Sequence, residues 1–376
     1  MMFIRGFIGI LCVAFIVFGC SGSDKSMHFA VVFNHPKSIS VTDTEFEELE
    51  LESVISSYVG KLFINNDIIG FVDQKFSWVF QFDKNGNFIS RHLGQGNGPM
   101  EIPVGEIQGN ALLNGGSYLF IGSSTDCYIY DNKFQRKKTF VIDRTANKEA
   151  KGYEQPSNYM SCYENFIIKS HDDYVYYNLF LSHWEYNFIV SPVKYFEKAR
   201  IIARLNLTTG EMEKVLGRYP EIYAKDKSLK QLCFTNFDLD SKGTFYVSYE
   251  ADSLIYTFDQ DFTPISTFGY KGREMNDKPI VLTTIDMFNE KYAQNRHERG
   301  YYNSLRYIEE TGLLFRTYQK GAGSGGGLQI YRENVLIGDI DAPDGFKMLG
   351  YIAPYYYGST SIDEDNERII LHRFKL

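Results

Sequence analysis

Short strand-like segments separated by polar turns make up most of the chain from residue 38 onward. Residues 78–82 (Trp-Val-Phe-Gln-Phe) are followed by the turn residues 83–87 (Asp-Lys-Asn-Gly-Asn) and by a second strand-like segment that closes at Leu93-Gly94. Alternation with period two and enrichment in aromatic and β-branched residues are typical of strands, and Asn-Gly turns join such strands into hairpins. The pattern therefore predicts an all-β protein.

The same phrase recurs: a strand ending in an aromatic residue or Leu, a polar turn, and a second strand that closes near Gly. Its five copies cover residues 78–94, 128–134, 201–217, 254–269 and 328–338. The position after the aromatic residue or Leu falls at 83, 131, 206, 259 and 332, so that successive copies are 48, 75, 53 and 73 residues apart. The short spacings suit one four-stranded propeller blade of about 40–50 residues, and the long ones suit a blade with an insertion.

The two ends of the repeat region predict how the ring closes. Residues 368–374 form the third strand of a last blade, while residues 38–41 and 48–51 are strand-like and otherwise unassigned. We therefore expect a six-bladed β-propeller over residues 38–376, closed by an N-terminal strand that completes the last blade and removes both open edges. Seven blades remain an alternative if residues 143–200 contain a further blade.

Two insertions interrupt the period. Residues 144–200 are rich in aromatic residues, and residues 270–300 contain a predicted helix that begins near Thr284 and includes Met287 and Tyr292. Insertions in a propeller are expected on one rim of the ring, where they form candidate binding surface.

The first residues resemble an export signal. Residues 1–19 combine one basic residue, Arg5, with an apolar run, and the sequence Val17-Phe18-Gly19-Cys20 resembles a bacterial lipobox, in which the cysteine is lipidated. The predicted organisation is a signal peptide over 1–19, a lipidated tether over 20–37 and one propeller domain over 38–376. The expected location is the cell envelope, with the protein anchored to a bacterial membrane through Cys20.

Composition narrows the function classes. The net charge of −8 excludes the electrostatic footprint of a nucleic-acid-binding protein. After Cys12 and Cys20 are set aside, Cys127, Cys162 and Cys233 remain, so at most one disulfide can form and a disulfide scaffold is excluded.

A glycine-rich link follows the first repeat. Gly94, Gly96, Gly98, Pro99 and Glu101 match a Gly-x-Gly-x-Gly-Pro-x-Glu pattern, and together with the lipobox and the repeat they resemble the TolB-like six-bladed β-propeller lipoproteins. This resemblance implies an exported, anchored propeller and a structural role for the link between blades. It implies no agreed reaction, so no catalytic residue is assigned.

Metal chemistry has weak support. His171, Asp173, His183 and His297 are the candidates for metal ligands, and they lie on the two insertions, which could face each other across the ring. Residues 238–243 begin like a calcium loop but lack its closing acidic residue, which favours a turn. No metal and no cofactor are predicted.

We expect a monomeric binding or scaffold protein for a glycan, a peptide or a partner protein. Aromatic rings stack on sugars and anchor interfaces, and the candidate binding surface comprises Tyr174, Tyr176, Tyr177, Trp184, Tyr186, Tyr355, Tyr356 and Tyr357. The alternative is a metal-dependent enzyme of the lactonase or hydrolase kind, which would need carboxylates, Asn and His to converge at the ring axis.

Overall fold

The computed structural model describes residues 28–30, 37–103, 105–123, 125–162, 165–188, 190–226, 229, 231–278, 285–360 and 362–376. The predicted signal peptide and Cys20 lie outside these residues. Within the predicted tether, Phe29 packs on Tyr256 with ring centroids 4.9 Å apart, and Thr267 donates a hydrogen bond to the carbonyl of Ala30.

The described strands form six antiparallel sheets arranged as the blades of a propeller, which confirms the predicted fold class. The N-terminal strand is β1 (Glu47–Glu50). The strands of blades 1 and 2 are β2 (Gly60–Asn65), β3 (Ile68–Asp73), β4 (Trp78–Phe82), β5 (Phe88–Leu93), β6 (Ile107–Leu112), β7 (Tyr118–Gly122), β8 (Asp126–Tyr130) and β9 (Arg136–Val141). Blades 3 and 4 consist of β10 (Tyr159–Ser161), β11 (Ile168–His171), β12 (Tyr174–Leu181), β13 (Ile202–Asn206), β14 (Met212–Leu216), β15 (Thr235–Leu239), β16 (Phe245–Tyr249), β17 (Ile255–Phe258) and β18 (Pro264–Phe268).

Blades 5 and 6 complete the ring. Their strands are β19 (Tyr301–Ile308), β20 (Leu313–Gln319), β21 (Gly326–Arg332), β22 (Val335–Ala342), β23 (Lys347–Ile352), β24 (Tyr355–Ser359) and β25 (Ile370–Phe374). Three α-helices lie in connections between strands: α1 (Pro192–Lys198), α2 (Glu221–Lys225) and α3 (Ile285–Glu298). Helix α3 confirms the predicted helix; Thr284, where we expected it to begin, lies outside the described residues.

The repeated phrase corresponds to the hairpin between the third and fourth strands of a blade. In blade 1 the side chain of Asp83 accepts hydrogen bonds from the backbone N–H groups of Asn85 and Asn87, and Asp131 and Asp259 accept equivalent bonds in blades 2 and 4. A register shift precedes each of these turns. An Asx turn combined with a bulge is a locally encoded hairpin, which is why the repeat is visible in the sequence.

The hydrophobic core lies between neighbouring blades. Phe71 and Phe80 of blade 1 pack with Tyr357 of blade 6 in one cluster, and Val72 and Phe120 join blades 1 and 2 in another. Because each blade is packed on both faces, both sets of alternating side chains along a central strand are buried.

The N-terminal segment closes the ring as predicted. Strand β1 pairs antiparallel with β25 as the outermost strand of blade 6, and Glu47 lies opposite Arg373. The Arg373 Nε and Glu47 Oε2 atoms are 2.9 Å apart. Residues 38–41 extend blade 5 instead, since the Ser40 and Val41 N–H groups donate to the carbonyl of Ile337.

Blade 3 corrects the predicted insertion over residues 144–200. Strands β10, β11 and β12 lie within that range and belong to the blade that also contains the third repeat. The ring has six blades, and the insertion shortens to two excursions, over residues 144–158 and 182–200. The eight-residue strand β12 pairs with both β10 and β11, which lengthens this part of the chain without adding a blade.

The connections divide the ring into two faces. In each antiparallel blade, the hairpins between strands 1 and 2 and between strands 3 and 4 leave one face, which we call the lower face. The connections between strands 2 and 3, and those between blades, leave the upper face. Both excursions of blade 3 and all three helices are in upper-face connections, so the insertions share one rim as expected.

Candidate functional site

A channel runs along the ring axis and is lined by the first strands of all six blades. Its volume is about 400 Å³. Polar and charged side chains alternate in this lining with apolar ones such as Phe166 and Met348. The lining includes the polar and charged residues Lys61, Asn110, Asn165, Lys169, Ser170, Asn236, Asp238, Asn303, Ser304, Arg306 and Lys347.

An upper tier of this lining consists of the residues that lie where the first strands leave the upper face: Lys61, Asn165, Asn236, Asn303 and Lys347. Three of them are asparagines of blades 3, 4 and 5, and each side-chain amide donates a hydrogen bond to the next blade. The Asn165 amide donates to the Thr235 carbonyl at 3.4 Å, Asn236 donates to the Tyr302 carbonyl at 3.1 Å, and Asn303 donates to the Phe346 carbonyl at 3.3 Å. The acceptor always precedes the equivalent residue of the next blade, so this ladder of amides ends at Lys347.

The two lysines of the upper tier lie on neighbouring blades. Lys61 Nζ donates to the Phe166 carbonyl at 3.0 Å. Removal from bulk solvent, with the positive charge of Lys347 as the next contribution, lowers the pKa of Lys61 to about 8. Neither ammonium has a carboxylate partner among the residues that the structure describes, and within that set Lys347 Nζ has no hydrogen-bond partner at all.

A lower tier, formed by Lys169, Asp238 and Arg306, lies farther along the same strands. Lys169 Nζ is 2.7 Å from Asp238 Oδ1, and Arg306 Nη1 is 3.4 Å from Asp238 Oδ2. The Tyr307 N–H donates to the same carboxylate at 2.9 Å. Burial alone would raise the pKa of Asp238, but the two cations outweigh it and hold the pKa below its usual value. Desolvation, with Arg306 next, lowers the pKa of Lys169 to about 8.

Helix α3 places a further ion pair beside the upper tier. Arg296 Nη2 is 2.5 Å from Glu250 Oε1, and the guanidinium lies 4.3 Å from the ring centroid of Tyr301. Desolvation lowers the pKa of Lys347; the Glu250 charge opposes that shift and the Arg296 charge reinforces it. Since Arg296 already neutralises Glu250, this pair does not supply a counterion for Lys347.

The charge of the channel is opposite to that of the whole chain. Among the described residues, the lining carries three lysines and one arginine against a single carboxylate, Asp238, while the net charge of the chain is −8. A concave site lined by one sign of charge concentrates ligands of the other sign. The channel is therefore suited to anions.

Half of the aromatic residues predicted as binding surface are buried. Tyr176, Tyr177, Tyr356 and Tyr357 are at most 6% exposed, so the prediction is wrong for these four. They lie on the second strands of blades 3 and 6, which are covered on both sides. Of the other four, Trp184 is 88% exposed and shares an upper-face connection with the half-buried Tyr186. Tyr174 and Tyr355 are half-buried next to lower-face hairpins.

The weak metal candidates are not brought together. His171 and Asp173 lie at the lower face, whereas His183 and His297 lie in upper-face connections, so the four candidates do not converge on one site. His171 Nε2 is instead 2.8 Å from Gln260 Nε2 and 3.3 Å from Asp172 Oδ2. Among the described residues, no group of three or more His, Cys, Asp or Glu side chains could hold a metal ion.

The glycine link joins blade 1 to the outer strands of blade 2. The Glu101 carboxylate accepts a hydrogen bond from the Gly98 N–H at 2.8 Å, and Arg136 of β9 donates its N–H to the Pro99 carbonyl at 2.9 Å. A Cβ on Gly96 would lie 2.1 Å from Glu101 Oε2, so the turn requires glycine there. Gly94 accepts the Ile102 N–H at 2.8 Å.

Cys127, Cys162 and Cys233 are buried thiols that form no disulfide with one another. Desolvation raises the pKa of the Cys127 and Cys233 thiols, so neither is a reactive nucleophile at neutral pH.

The fold defines a six-bladed β-propeller with a polar axial channel. It is similar to a member of the DUF4221 family from Bacteroides vulgatus, with a TM-score of 0.65, 13% identity, and coverage of 88% of this chain and 98% of that one. It is also similar to a protein of Bacteroides fragilis that is thought to be exported, with a TM-score of 0.52, 12% identity, and coverage of 90% and 98%. At these identities the similarity is one of fold.

No family model matches the sequence. No curated protein matches it either. None of the helices in the described residues combines the length and the hydropathy that a membrane span requires.

Sequence reasoning missed the channel residues. It assigned Asp238 to a turn and did not consider Lys61, Lys169 or Lys347. One signal was present: Asn165-Phe166, Asn236-Phe237 and Asn303-Ser304 each precede the first strand of a blade or begin within it. A search aligned on these asparagines would have shown a second repeat beside the hairpin phrase.

Proposed function

We propose that this protein is a lipid-anchored, TolB-like propeller of the bacterial cell envelope that binds a glycan, peptide or partner protein through its channel and upper face. The lipobox at Cys20, the apolar run before it and the similarity to a protein thought to be exported support the location. Cells fed a fatty-acid analogue should label the wild-type chain and not the Cys20→Ser variant. A wild-type chain that takes up no label would contradict the anchor.

The channel carries the binding proposal. It is a concave volume of about 400 Å³, within the usual ~300–1,000 Å³ of small-molecule sites. Its lining contains polar groups that the protein does not use, because among the described residues the Asn110 amide and the Lys347 ammonium have no hydrogen-bond partner. Unused polar groups in a concave site are available to a ligand. Trp184 adds an exposed ring on the upper face.

The alternative of a metal-dependent hydrolase does not fit the donor set. Among the described lining residues Asp238 is the one carboxylate, and both of its oxygens already face cations. A divalent ion would have to displace Lys169 or Arg306. The arrangement therefore favours binding over metal-assisted hydrolysis.

A binding screen tests the proposal. The full chain in detergent, applied to arrays of glycans and peptides, should give a reproducible set of ligands. Asn110→Tyr should abolish binding because the larger ring fills the channel from β6. The control Asn85→Tyr alters an exposed residue of the lower-face hairpin between β4 and β5 and should retain it. Binding that survives Asn110→Tyr in a folded protein, checked by thermal unfolding, would contradict the channel as the site.

A further inference from the structure

Among the described residues, neither of the two lysines in the upper tier of the channel forms an ion pair. The nearby carboxylates are committed elsewhere: Asp238 pairs with Lys169 and Arg306, and Glu250 pairs with Arg296. The Lys61 ammonium donates only to a backbone carbonyl. Among the described residues, the Lys347 ammonium has no hydrogen-bond partner. Lys347 is exposed at the upper mouth of the channel and Lys61 is half-buried below it, so both ammonium groups can be reached by a ligand.

We infer that the channel binds an anionic, hydroxyl-rich ligand, a sugar that carries a carboxylate or a phosphate, with its anionic group between Lys61 and Lys347. This inference rests on the proposed binding function and specifies the ligand class of the same site.

The position of the two lysines supports an anion at this place. They lie at the start of β2 and β23, the first strands of neighbouring blades, and the charge of Lys347 is close enough to lower the pKa of Lys61. Two like charges held together destabilise each other, and an anion between them offsets both their repulsion and their desolvation. Lysine ammonium groups act as point charges and bind carboxylate and phosphate alike.

The rest of the lining supports a hydroxyl-rich body. The half-buried Asn110 and Ser304 side chains have no hydrogen-bond partner among the described residues. Amide and hydroxyl groups both donate and accept, which matches the hydroxyl groups of a sugar. Apolar atoms of Leu62 and Met348 lie between these polar groups and offer contact for the C–H faces of a ring.

The inference is tested by titrating three probes of the same stereochemistry into the full chain in detergent: galacturonate, galactose 6-phosphate and galactose. By isothermal titration calorimetry, at least one of the two anionic probes should bind ten times or more tightly than galactose. Which of the two binds more tightly identifies the anionic group.

Lysine variants locate the site. Lys347→Met and Lys61→Met should each weaken binding of the preferred anion at least tenfold. Lys347 has no partner to lose, so its variant should fold as the wild type does. The control Lys75→Met removes an exposed lysine that pairs with Glu106 outside the channel lining, and it should leave the affinity within twofold.

The outcomes separate this inference from the proposed function. If galactose binds as tightly as both anions, or if no probe binds, the anionic ligand class is wrong, while array ligands that depend on the open channel would still support the binding function. If an anion binds but both lysine variants bind it as the wild type does, the assigned position is wrong.

Discussion

The two tiers of the channel share the same strands and differ in how they handle charge. In the lower tier Asp238 lies between Lys169 and Arg306 and accepts a backbone hydrogen bond as well. In the upper tier Lys61 and Lys347 have no carboxylate among the described residues. The lower tier is therefore an internally neutralised ion-pair network, a structural pin that links blades 3, 4 and 5. The lysines of the upper tier, by contrast, are available to an anionic ligand. The comparison shows that a cation in a channel indicates ligand binding only where no neighbouring side chain neutralises it.

The largest expected effect comes from breaking the lower tier. Asp238→Asn keeps the shape of the side chain but leaves Lys169 and Arg306 without a counterion. Removing one partner of a buried pair costs about 3–5 kcal/mol, and we expect a loss of that size in the free energy of unfolding, measured with denaturant.

The matched substitution Asp365→Asn controls for the change of chemistry. Asp365 is exposed in the upper-face turn between β24 and β25, and its replacement should change the free energy of unfolding by less than about 0.5 kcal/mol. Equal effects of the two variants would mean that the lower tier is not a structural pin.

A smaller effect is expected from pH. The unfolded chain keeps a proton on each lysine up to its usual pKa near 10.4, whereas folded Lys61 and Lys169 release theirs at about 8. The unfolded state therefore binds more protons on these two lysines between these values. The buried thiols of Cys127 and Cys233, whose pKa values are raised, act in the opposite direction above the usual cysteine pKa of about 8.5. In a Cys127→Ala, Cys233→Ala background the free energy of unfolding should rise with pH from about 8 to 9.5, by up to about 1.4 kcal/mol per pH unit and lysine. Buried tyrosines such as Tyr249, whose pKa is raised by desolvation, oppose the rise above that range.

Lys347→Met sharpens the same measurement. The variant removes a lysine whose own pKa is lowered, and it moves the pKa of Lys61 part of the way back toward its usual value, so the slope between pH 8 and 9.5 should become smaller. The variant itself should cost less than about 1 kcal/mol at pH 7, because it removes an unpaired charge. An unchanged slope would show that the two lysines do not interact.

The features that could be predicted from the sequence are the hairpin turns, because residues close together in the chain determine them. The turns at Asp83, Asp131 and Asp259 form within a few residues, so their phrase recurs and reveals the blades. The fifth copy is weaker because its turn uses Glu333 and Asn334, both with positive φ, in place of the Asx pattern. Blade 3 was harder to delimit because β12 pairs with two strands.

The predictions failed where the answer depends on long-range packing. Tyr176 and Tyr177 are adjacent in β12 and point to opposite faces of the blade, yet both are buried because neighbouring structure covers each face. Alternation alone cannot identify the solvent side of such a strand. The channel was missed for a related reason: its lining comes from six strands distributed over the chain, and a lone lysine such as Lys61 has no local motif.

The closing strand also dictates the order of events during synthesis. Glu47 and Arg373, which pair in blade 6, are 326 residues apart. The other three strands of blade 6 are therefore synthesised last, and β1 has no strand to pair with while the first five blades assemble. Contacts of such long range slow folding, so the ring becomes a sealed unit only in the last step of its biogenesis.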